Sequence, residues 1–191
     1  MRVIAGTAKR MALLAPKGQH TRPTADRIKE NLFNIIGPYV TGAKFLDLFC
    51  GSGAIGIEAL SRGAGEAVFV DASKSAVGIT QSNLAKVRLP GTVLHMNAVD
   101  AIIKLEQEGR VFDIIFLDPP YGLDLLNQAL DALSRSNIIS PETLIIAENA
   151  KGEQVATSLE LQDIRAYGST QLMFYMRTNS SATGDKSAQD Q

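Results

Sequence analysis

The stretch FLDLFCGSGAIG, residues 45–56, joins an apolar run to a glycine-rich turn and then to a helical pattern. The apolar run predicts a buried strand, and the pattern after Gly53 predicts a helix. Glycine at 51 and 53 allows the backbone to turn tightly and lets a ligand approach the main chain. In an open parallel sheet, ligands bind at the carboxyl ends of the strands. We therefore predict a nucleotide-like ligand at this turn.

From residue 44 onward the chain alternates between strand and helix patterns. Near-continuously apolar strands of this kind indicate a parallel sheet that is covered on both faces. A closing antiparallel pair with a turn at Gly168 brings the number of predicted strands to seven. The sequence thus predicts an α/β fold with a doubly wound, mostly parallel sheet. The predicted strands are 44–48, 66–71, 92–96, 112–118, 143–148, 161–166 and 171–177, and the predicted helices between them are 54–62, 74–86, 98–108 and 123–135.

The first 38 residues differ in pattern from the rest. Two short apolar runs, 2–5 and 11–14, flank a basic segment and predict a hairpin with a basic tip. Thr24 can cap a helix that runs to Ile36, and Gly37-Pro38 is expected to end it. We expect residues 1–38 to form a small extension, residues 39–177 the main domain, and residues 178–191 a disordered tail.

The composition restricts the class of protein. With 191 residues, 45% apolar and 20% charged, the chain is typical of one globular domain and unlike a fibrous or disordered protein. Its apolar runs are too short to span a bilayer, and we find no secretory signal segment. A single cysteine and two distant histidines argue against disulfides and against a zinc site. We therefore expect a cytoplasmic protein without a metal.

The charges are distributed unevenly along the chain. Residues 1–30 hold seven basic and two acidic side chains, whereas the remaining 161 residues hold 12 basic and 18 acidic ones. A basic arm on an acidic body is typical of a protein that binds phosphates at one end. The hairpin tip, with Lys9 and Arg10, is therefore a candidate nucleic-acid contact, although charge alone fits a solvated surface hairpin equally well.

Acidic residues surround the predicted glycine turn. Asp71 ends the next strand, 20 residues after Gly51, where a carboxylate can accept hydrogen bonds from ribose hydroxyls. A dinucleotide enzyme shares these features, but Asp47 suits a cationic amino acid group and opposes a pyrophosphate. S-adenosylmethionine has an ammonium and a sulfonium and no phosphate, so we predict it as the cofactor. Asp100 could bind an adenine amine or act as a helix N-terminal acid, and Cys50 is interpreted as a packing residue.

The segment FDIIFLDPPY, residues 112–121, ends an apolar strand in an acid, two prolines and an aromatic residue. The prolines fix φ and remove two N–H donors, which leaves a stiff turn with outward carbonyls. An exocyclic base amine is a poor nucleophile because its lone pair is delocalised into the ring. Asp118 and the Pro119 carbonyl can bind its N–H groups and orient it. Asp118 can also take a proton, and Tyr121 can stack on the base.

Together these segments resemble the RsmD family, class I methyltransferases that modify guanine N2 in bacterial small-subunit (16S) ribosomal RNA. The resemblance includes residues 2–6, 21–30 and 167–170 in addition to the two turns. It implies a monomer that acts on RNA in assembling or assembled subunits. The hairpin has fewer glycines and basic groups than the family usually has. The implied cofactor contacts are Asp47, Gly51, Gly53, Asp71 and Asp100, the implied catalytic residues are Asp118, Pro119 and Tyr121, and the implied RNA contacts are Lys9, Arg10, Arg22 and Arg27.

Three other functions fit part of the pattern. Another amino-methyltransferase, acting on adenine N6, cytosine N4 or a glutamine amide, would share both turns, although DNA enzymes usually need a larger recognition domain. A nicotinamide-dependent dehydrogenase would use the glycine turn and leave residues 118–121 without a role. A noncatalytic RNA-binding assembly factor could keep the same fold.

Overall fold

A computed structural model describes residues 1–15, 23–120, 124–153 and 155–178. Its seven strands form one sheet in the order β3-β2-β1-β4-β5-β7-β6. Strands β1 to β5 are parallel, whereas β7 is antiparallel to both β5 and β6. The predicted fold class is confirmed. The elements are α1 Pro23–Val40, β1 Lys44–Leu48, α2 Ala54–Ser61, β2 Glu66–Asp71, α3 Lys74–Val87, β3 Thr92–His95, α4 Ala98–Gln107, β4 Phe112–Leu117, α5 Leu125–Arg135, β5 Ile139–Ala150, β6 Glu160–Tyr167 and β7 Thr170–Met176.

Side chains alternate between two buried clusters along the central strands. Phe45 and Phe116 belong to the cluster on the face that α1, α2 and α3 cover. Leu46 and Leu117 belong to the cluster on the opposite face, under α4 and α5. Both faces of the sheet are therefore buried, which explains why its strands are apolar at nearly every position.

The N-terminal extension shares the core of the main sheet. Its two arms pair antiparallel through Arg2 and Ala12, and the Val3 amide donates to the Met11 carbonyl at 2.9 Å. The predicted hairpin is thus confirmed, although it is too short to form regular strands. Val3 and Leu13 are buried in the same cluster as α1 and α2. The assignment of residues 1–38 as a separate RNA-contacting unit stays a prediction.

The prediction for the bounds of α1 was wrong at both ends. The helix begins at Pro23, so Thr24 lies inside it, and it continues through Gly37 and Pro38 to Val40. Pro38 lacks one helical hydrogen bond, but the side chain of Val40 is 1% exposed in the core. Burial of a valine contributes about 1.5–3 kcal/mol, which offsets much of that loss.

Most other bounds agree with the prediction within two residues. The exception is β5, which begins at Ile139 because this residue pairs with Phe112 ahead of an irregularity in the register. The tail predicted to be disordered lies, from residue 179 onward, outside the described residues. None of the helices in the described ranges is long and apolar enough to cross a membrane.

Candidate active site

An open cleft of about 1240 Å³ lies at the carboxyl ends of β1, β2, β4 and β5. The cleft brings both predicted turns together because β1 and β4 are parallel neighbours. Leu48 is opposite Leu117, so the glycine turn and the Asp118 turn start at the same level of the sheet. Six of the predicted site residues line this cleft: Asp47, Gly51, Asp71, Asp100, Asp118 and Pro119.

The glycine turn is a series of left-handed residues. Phe49, Gly51 and Gly53 have φ values of 68°, 55° and 74°. A Cβ at Gly51 would meet no atom within 4 Å, since the backbone there faces open space, whereas one at Gly53 would lie 2.8 Å from Thr80 Cγ2. Gly53 thus packs behind the turn and does not line the cleft. Cys50 lies 3.6 Å from Thr80 Oγ1, and burial raises the pKa of its thiol, in agreement with a packing role.

Asp47 is a buried carboxylate under the glycine turn. Its side chain is 2% exposed, and Oδ2 accepts a hydrogen bond from the Gly56 amide at 3.0 Å, in the first turn of α2. A Cβ at Gly56 would lie 2.3 Å from Phe69 Cε1, so only glycine lets α2 approach the sheet this closely. Burial, and then the charges of Asp118 and Asp71, raise the pKa of Asp47 to about 7. The site therefore favours a cation next to Asp47.

Asp71 connects the glycine turn to the end of β2. Its Oδ2 accepts from the Gly51 amide and its Oδ1 from the Ser73 amide, both at 2.8 Å. Each carboxylate oxygen has a second lone pair that can accept from a ligand hydroxyl. Asp71 thus fixes the turn and can still bind ribose, the role predicted for it.

Asp100 has the contacts of a helix N-terminal acid. Its amide donates to Asn97 Oδ1 at 2.9 Å, and its Oδ2 accepts from Asn97 Nδ2 at 2.7 Å. This reciprocal pair caps the N-terminus of α4. The side chain is also exposed in the cleft wall, so both interpretations of Asp100 describe part of its environment.

The Asp118 turn has an acidic neighbour that sequence reasoning missed. Asp118 opens into the cleft and is exposed there, yet protein encloses its other sides, and this partial burial raises its pKa to about 6. Glu148 lines the same cleft from β5, where Ala147 is opposite Leu117. Burial and then the charge of Asp118 raise the pKa of Glu148 to about 8. Among the described residues, no group of His, Cys, Asp or Glu could hold a metal ion.

A position rule would have found Glu148. It ends the predicted apolar strand 143–148, as Asp71 ends β2, although β5 itself continues to Ala150. The other member of the catalytic prediction, Tyr121, lies outside the described residues.

Glu58 attaches the N-terminal hairpin to α2 and was not predicted. This carboxylate is fully buried and accepts hydrogen bonds from the amides of Ile4 and Ala5 at 2.8 and 2.9 Å. It also pairs with Lys29 at 3.4 Å and with Arg62 at 2.8 Å. Two cations and two amides compensate its buried charge, which an isolated carboxylate would not tolerate.

Asn83 connects the hairpin to the glycine turn. Its amide nitrogen donates to the carbonyls of Ser52 at 2.8 Å and Leu14 at 3.0 Å. Its Oδ1 accepts from the Leu14 amide at 2.8 Å. The side chain is fully buried. One side-chain amide therefore fixes both the glycine turn and the end of the hairpin.

Three of the four predicted RNA contacts belong to the described residues, and none of these three lines the cleft. Lys9 and Arg10 are exposed at the hairpin tip, and Arg27 is exposed on α1. The tip itself lies against the end of α2, where a Cβ at Gly6 would be 1.7 Å from the Ser61 carbonyl oxygen. Arg22 lies outside the described residues.

Comparisons with known proteins identify the family. A family model described as Conserved hypothetical protein 95 matches residues 1–176. The chain is 35% identical over 160 residues to ribosomal RNA small subunit methyltransferase D of Haemophilus influenzae, and the alignment covers 82% of each protein. A hypothetical protein of Thermus thermophilus has a TM-score of 0.81 at 28% identity, over 93% of this chain and 99% of that one.

A second solved structure shares the fold at lower identity. It is a T. thermophilus 16S rRNA N2 G1207 methyltransferase in complex with AdoMet and guanosine, with a TM-score of 0.67 at 20% identity, over 85% of this chain and 45% of that one. With the family model and the H. influenzae relative, the resemblance predicted from the sequence motifs is confirmed. The chain belongs to the RsmD family of small-subunit ribosomal RNA methyltransferases.

Proposed function

We propose that this chain transfers a methyl group from S-adenosylmethionine to the exocyclic N2 amine of a guanine in 16S ribosomal RNA. The observation that carries the proposal is the juxtaposition of two turns at one cleft, a glycine turn surrounded by acids and a rigid Asp118-Pro119 turn. Family membership supports the same reaction class.

The donor set of the cleft fits S-adenosylmethionine, which when bound supplies an electrophilic methyl group. Asp47, buried and with one amide contact, is placed to bind the ammonium. Gly51 lets the ligand contact the backbone, and Asp71 binds the ribose hydroxyls through its free lone pairs. Asp100, exposed in the first turn of α4 at the cleft wall, binds the adenine amine.

The Asp118 turn serves the base. Asp118 and the carbonyl of Pro119 accept hydrogen bonds from the N–H groups of the amine and align its lone pair. The nitrogen gains the methyl group and loses a proton. A carboxylate with a pKa of about 6 is a competent acceptor for that proton near neutral pH. Tyr121, which follows this turn, is proposed to stack on the base.

RNA binding is assigned to the basic arm. Lys9, Arg10 and Arg27 are exposed and can contact phosphates, and Arg22 belongs to the same basic segment. An unpaired loop guanine is the least costly base to extrude into a cleft. We further propose that the chain works as a monomer in the cytoplasm, on subunits that are assembling or assembled.

The test is methyl transfer by Asp118→Ala to small-subunit RNA or particles from a strain that lacks the enzyme. We expect turnover to fall by about 10²-fold or more, because general-base and orienting contacts of this size are lost. Calorimetry should show unchanged affinity for S-adenosylmethionine. The matched control is Asp113→Ala on β4, an exposed acid that does not line the cleft and that accepts from the Lys44 amide at 2.7 Å. This variant should keep wild-type turnover.

Mass spectrometry of the product decides between the remaining alternatives. N2-methylguanosine is the expected nucleoside. Methylated adenine, cytosine or glutamine would replace the guanine assignment with another amino-methyltransferase. RNA binding without any methyl transfer by the wild-type protein would indicate a noncatalytic assembly factor, and binding of NAD in place of S-adenosylmethionine a dehydrogenase.

A further inference from the structure

Glu148 is placed to contact the same base as Asp118. Leu117 and Ala147 are opposite each other in the parallel pair of β4 and β5, so the next residues of both strands lie side by side. Phe116 and Ile146 share one buried cluster, and strand alternation puts Asp118 and Glu148 on that same face. Both side chains line the cleft.

Neither carboxylate is compensated by its surroundings. Burial raises both pKa values, and no hydrogen bond or cation among the described residues lowers either. Both side chains open into the cleft, and Asp118 is exposed there. A molecule that displaces water from them must therefore supply hydrogen-bond donors of its own.

Guanine presents two adjacent donors at one edge, the N2 amine and the N1–H. Adenine has an acceptor at N1, so a carboxylate facing this position favours guanine and disfavours adenine. When Asp118 and the Pro119 carbonyl bind the N2 amine, the N1–H still needs an acceptor. Glu148 is the carboxylate beside Asp118 that can supply it.

We propose that Glu148 accepts the N1–H of the target guanine and thereby determines which base is methylated. This role rests on the proposed guanine-N2 activity and adds a specificity-determining residue to it. Glu148 makes no covalent bond in this scheme. The N1–H donor favours the ionised form of Glu148, so binding of the base is expected to lower its pKa and release its proton to solvent.

The test compares guanine with 2,6-diaminopurine at the target position of an RNA substrate. Diaminopurine keeps the methyl-accepting N2 amine but has an acceptor at N1. Wild-type kcat/KM should be about 10- to 100-fold lower for diaminopurine, the range expected for one base-edge contact. Glu148→Ala should lose about the same factor on guanine and change little on diaminopurine. Comparing the wild type and Glu148→Ala on both substrates forms a double cycle, which cancels the effect of the different group at the 6-position of the base.

Glu148→Gln is the second variant, since it keeps the side-chain size and an acceptor oxygen. It should retain more of the guanine preference than Glu148→Ala. Both variants should bind S-adenosylmethionine with wild-type affinity, which also shows that they fold. An equal loss on both substrates, or an unchanged preference in Glu148→Ala, would overturn the specificity role and leave the guanine-N2 activity intact. Absence of guanine methylation by the wild-type protein would overturn both.

Discussion

Asp47→Asn should make the cofactor-free protein more stable at alkaline pH and remove its response to S-adenosylmethionine. The asparagine oxygen can still accept the hydrogen bond from the Gly56 amide, which spans 3.0 Å. The substitution therefore removes a buried charge and keeps the local contact. The same charge is the one proposed to bind the ammonium of the cofactor, so stability and binding are expected to change in opposite directions.

The magnitude follows from the pKa of Asp47, which burial raises from 3.8 to about 7. The folded protein binds this proton more tightly than the unfolded chain does. Stability from this group is therefore lost as the pH rises from about 4 to about 7, and the loss is complete above that range. The full rise in pKa corresponds to a loss of about 4 kcal/mol in the free energy of unfolding, which is an upper bound. About 1.5 kcal/mol of this stability is already lost at pH 5.

Thermal unfolding at pH 5 and pH 8, with and without S-adenosylmethionine, measures both effects. For a chain of this size, 1 kcal/mol shifts Tm by about 2–4 °C. Without cofactor, the Tm of Asp47→Asn should exceed that of the wild type by several degrees at pH 8 and by less at pH 5. The cofactor should raise the Tm of the wild type and leave that of the variant unchanged.

The matched control is Asp131→Asn, which neutralises an exposed acid on α5 that pairs with Arg135 at 2.7 Å. Exposed pairs of this kind contribute about 0.3–0.5 kcal/mol, so its Tm should differ little from the wild type at either pH. The reasoning is refuted if Asp47→Asn is less stable than the wild type at pH 8 while the control is unaffected. That result would mean that the Asp47 charge is well solvated in the folded protein.

Three further predictions concern the packing of α2, the hairpin tip and the support of the glycine turn. Gly56→Ala should destabilise the protein by about 1–3 kcal/mol in denaturant titration because its Cβ collides with the sheet. The control is Gly78→Ala, whose added Cβ would meet no atom within 4 Å and should stabilise its helix by about 0.5–1 kcal/mol. Equal effects of the two substitutions would contradict this packing. The double variant Lys9→Ala with Arg10→Ala should reduce the steepness of log binding constant against log salt concentration by about 1.4–1.8. An unchanged slope would show that the hairpin tip does not contact RNA. Asn83→Ala should lower stability by about 2–4 kcal/mol, since it leaves the Ser52 and Leu14 carbonyls without this donor. It should also weaken cofactor binding in calorimetry, and unchanged cofactor affinity would show that the glycine turn does not need this amide.

Local sequence patterns were sufficient to predict the sheet and the glycine turn. The run 45–48 is apolar except at Asp47 because both faces of β1 are buried. The glycines at 51 and 53 mark a left-handed backbone that side chains avoid. The end of α1 was not predictable in this way. Gly37 and Pro38 are local stop signals, but the helix continues because Val40 packs against residues distant in sequence.

The same distinction between local patterns and long-range contacts explains which residues of the candidate site were predicted. Asp47, Asp71 and Asp118 were found because each lies at or directly after the carboxyl end of a predicted strand. Glu58 and Asn83 lie within helices and have partners 53 and more residues away. No spacing rule reveals such partners, because the contacts exist only after the hairpin has packed against α2 and α3.

The N-terminal extension contributes to the cleft itself and is more than an attached arm. Met1, Asp26 and Lys29 line the same cleft as the Asp118 turn. The Lys29 ammonium donates to the Arg2 carbonyl at 2.6 Å and also pairs with Glu58. Breaking a buried pair of this kind costs about 3–5 kcal/mol, so the hairpin and α1 resist separation from α2. The basic tip of the hairpin thus has a fixed orientation relative to the glycine turn. If the tip binds RNA as proposed, its position is therefore set by the buried contacts of Lys29 and Glu58 before any RNA arrives.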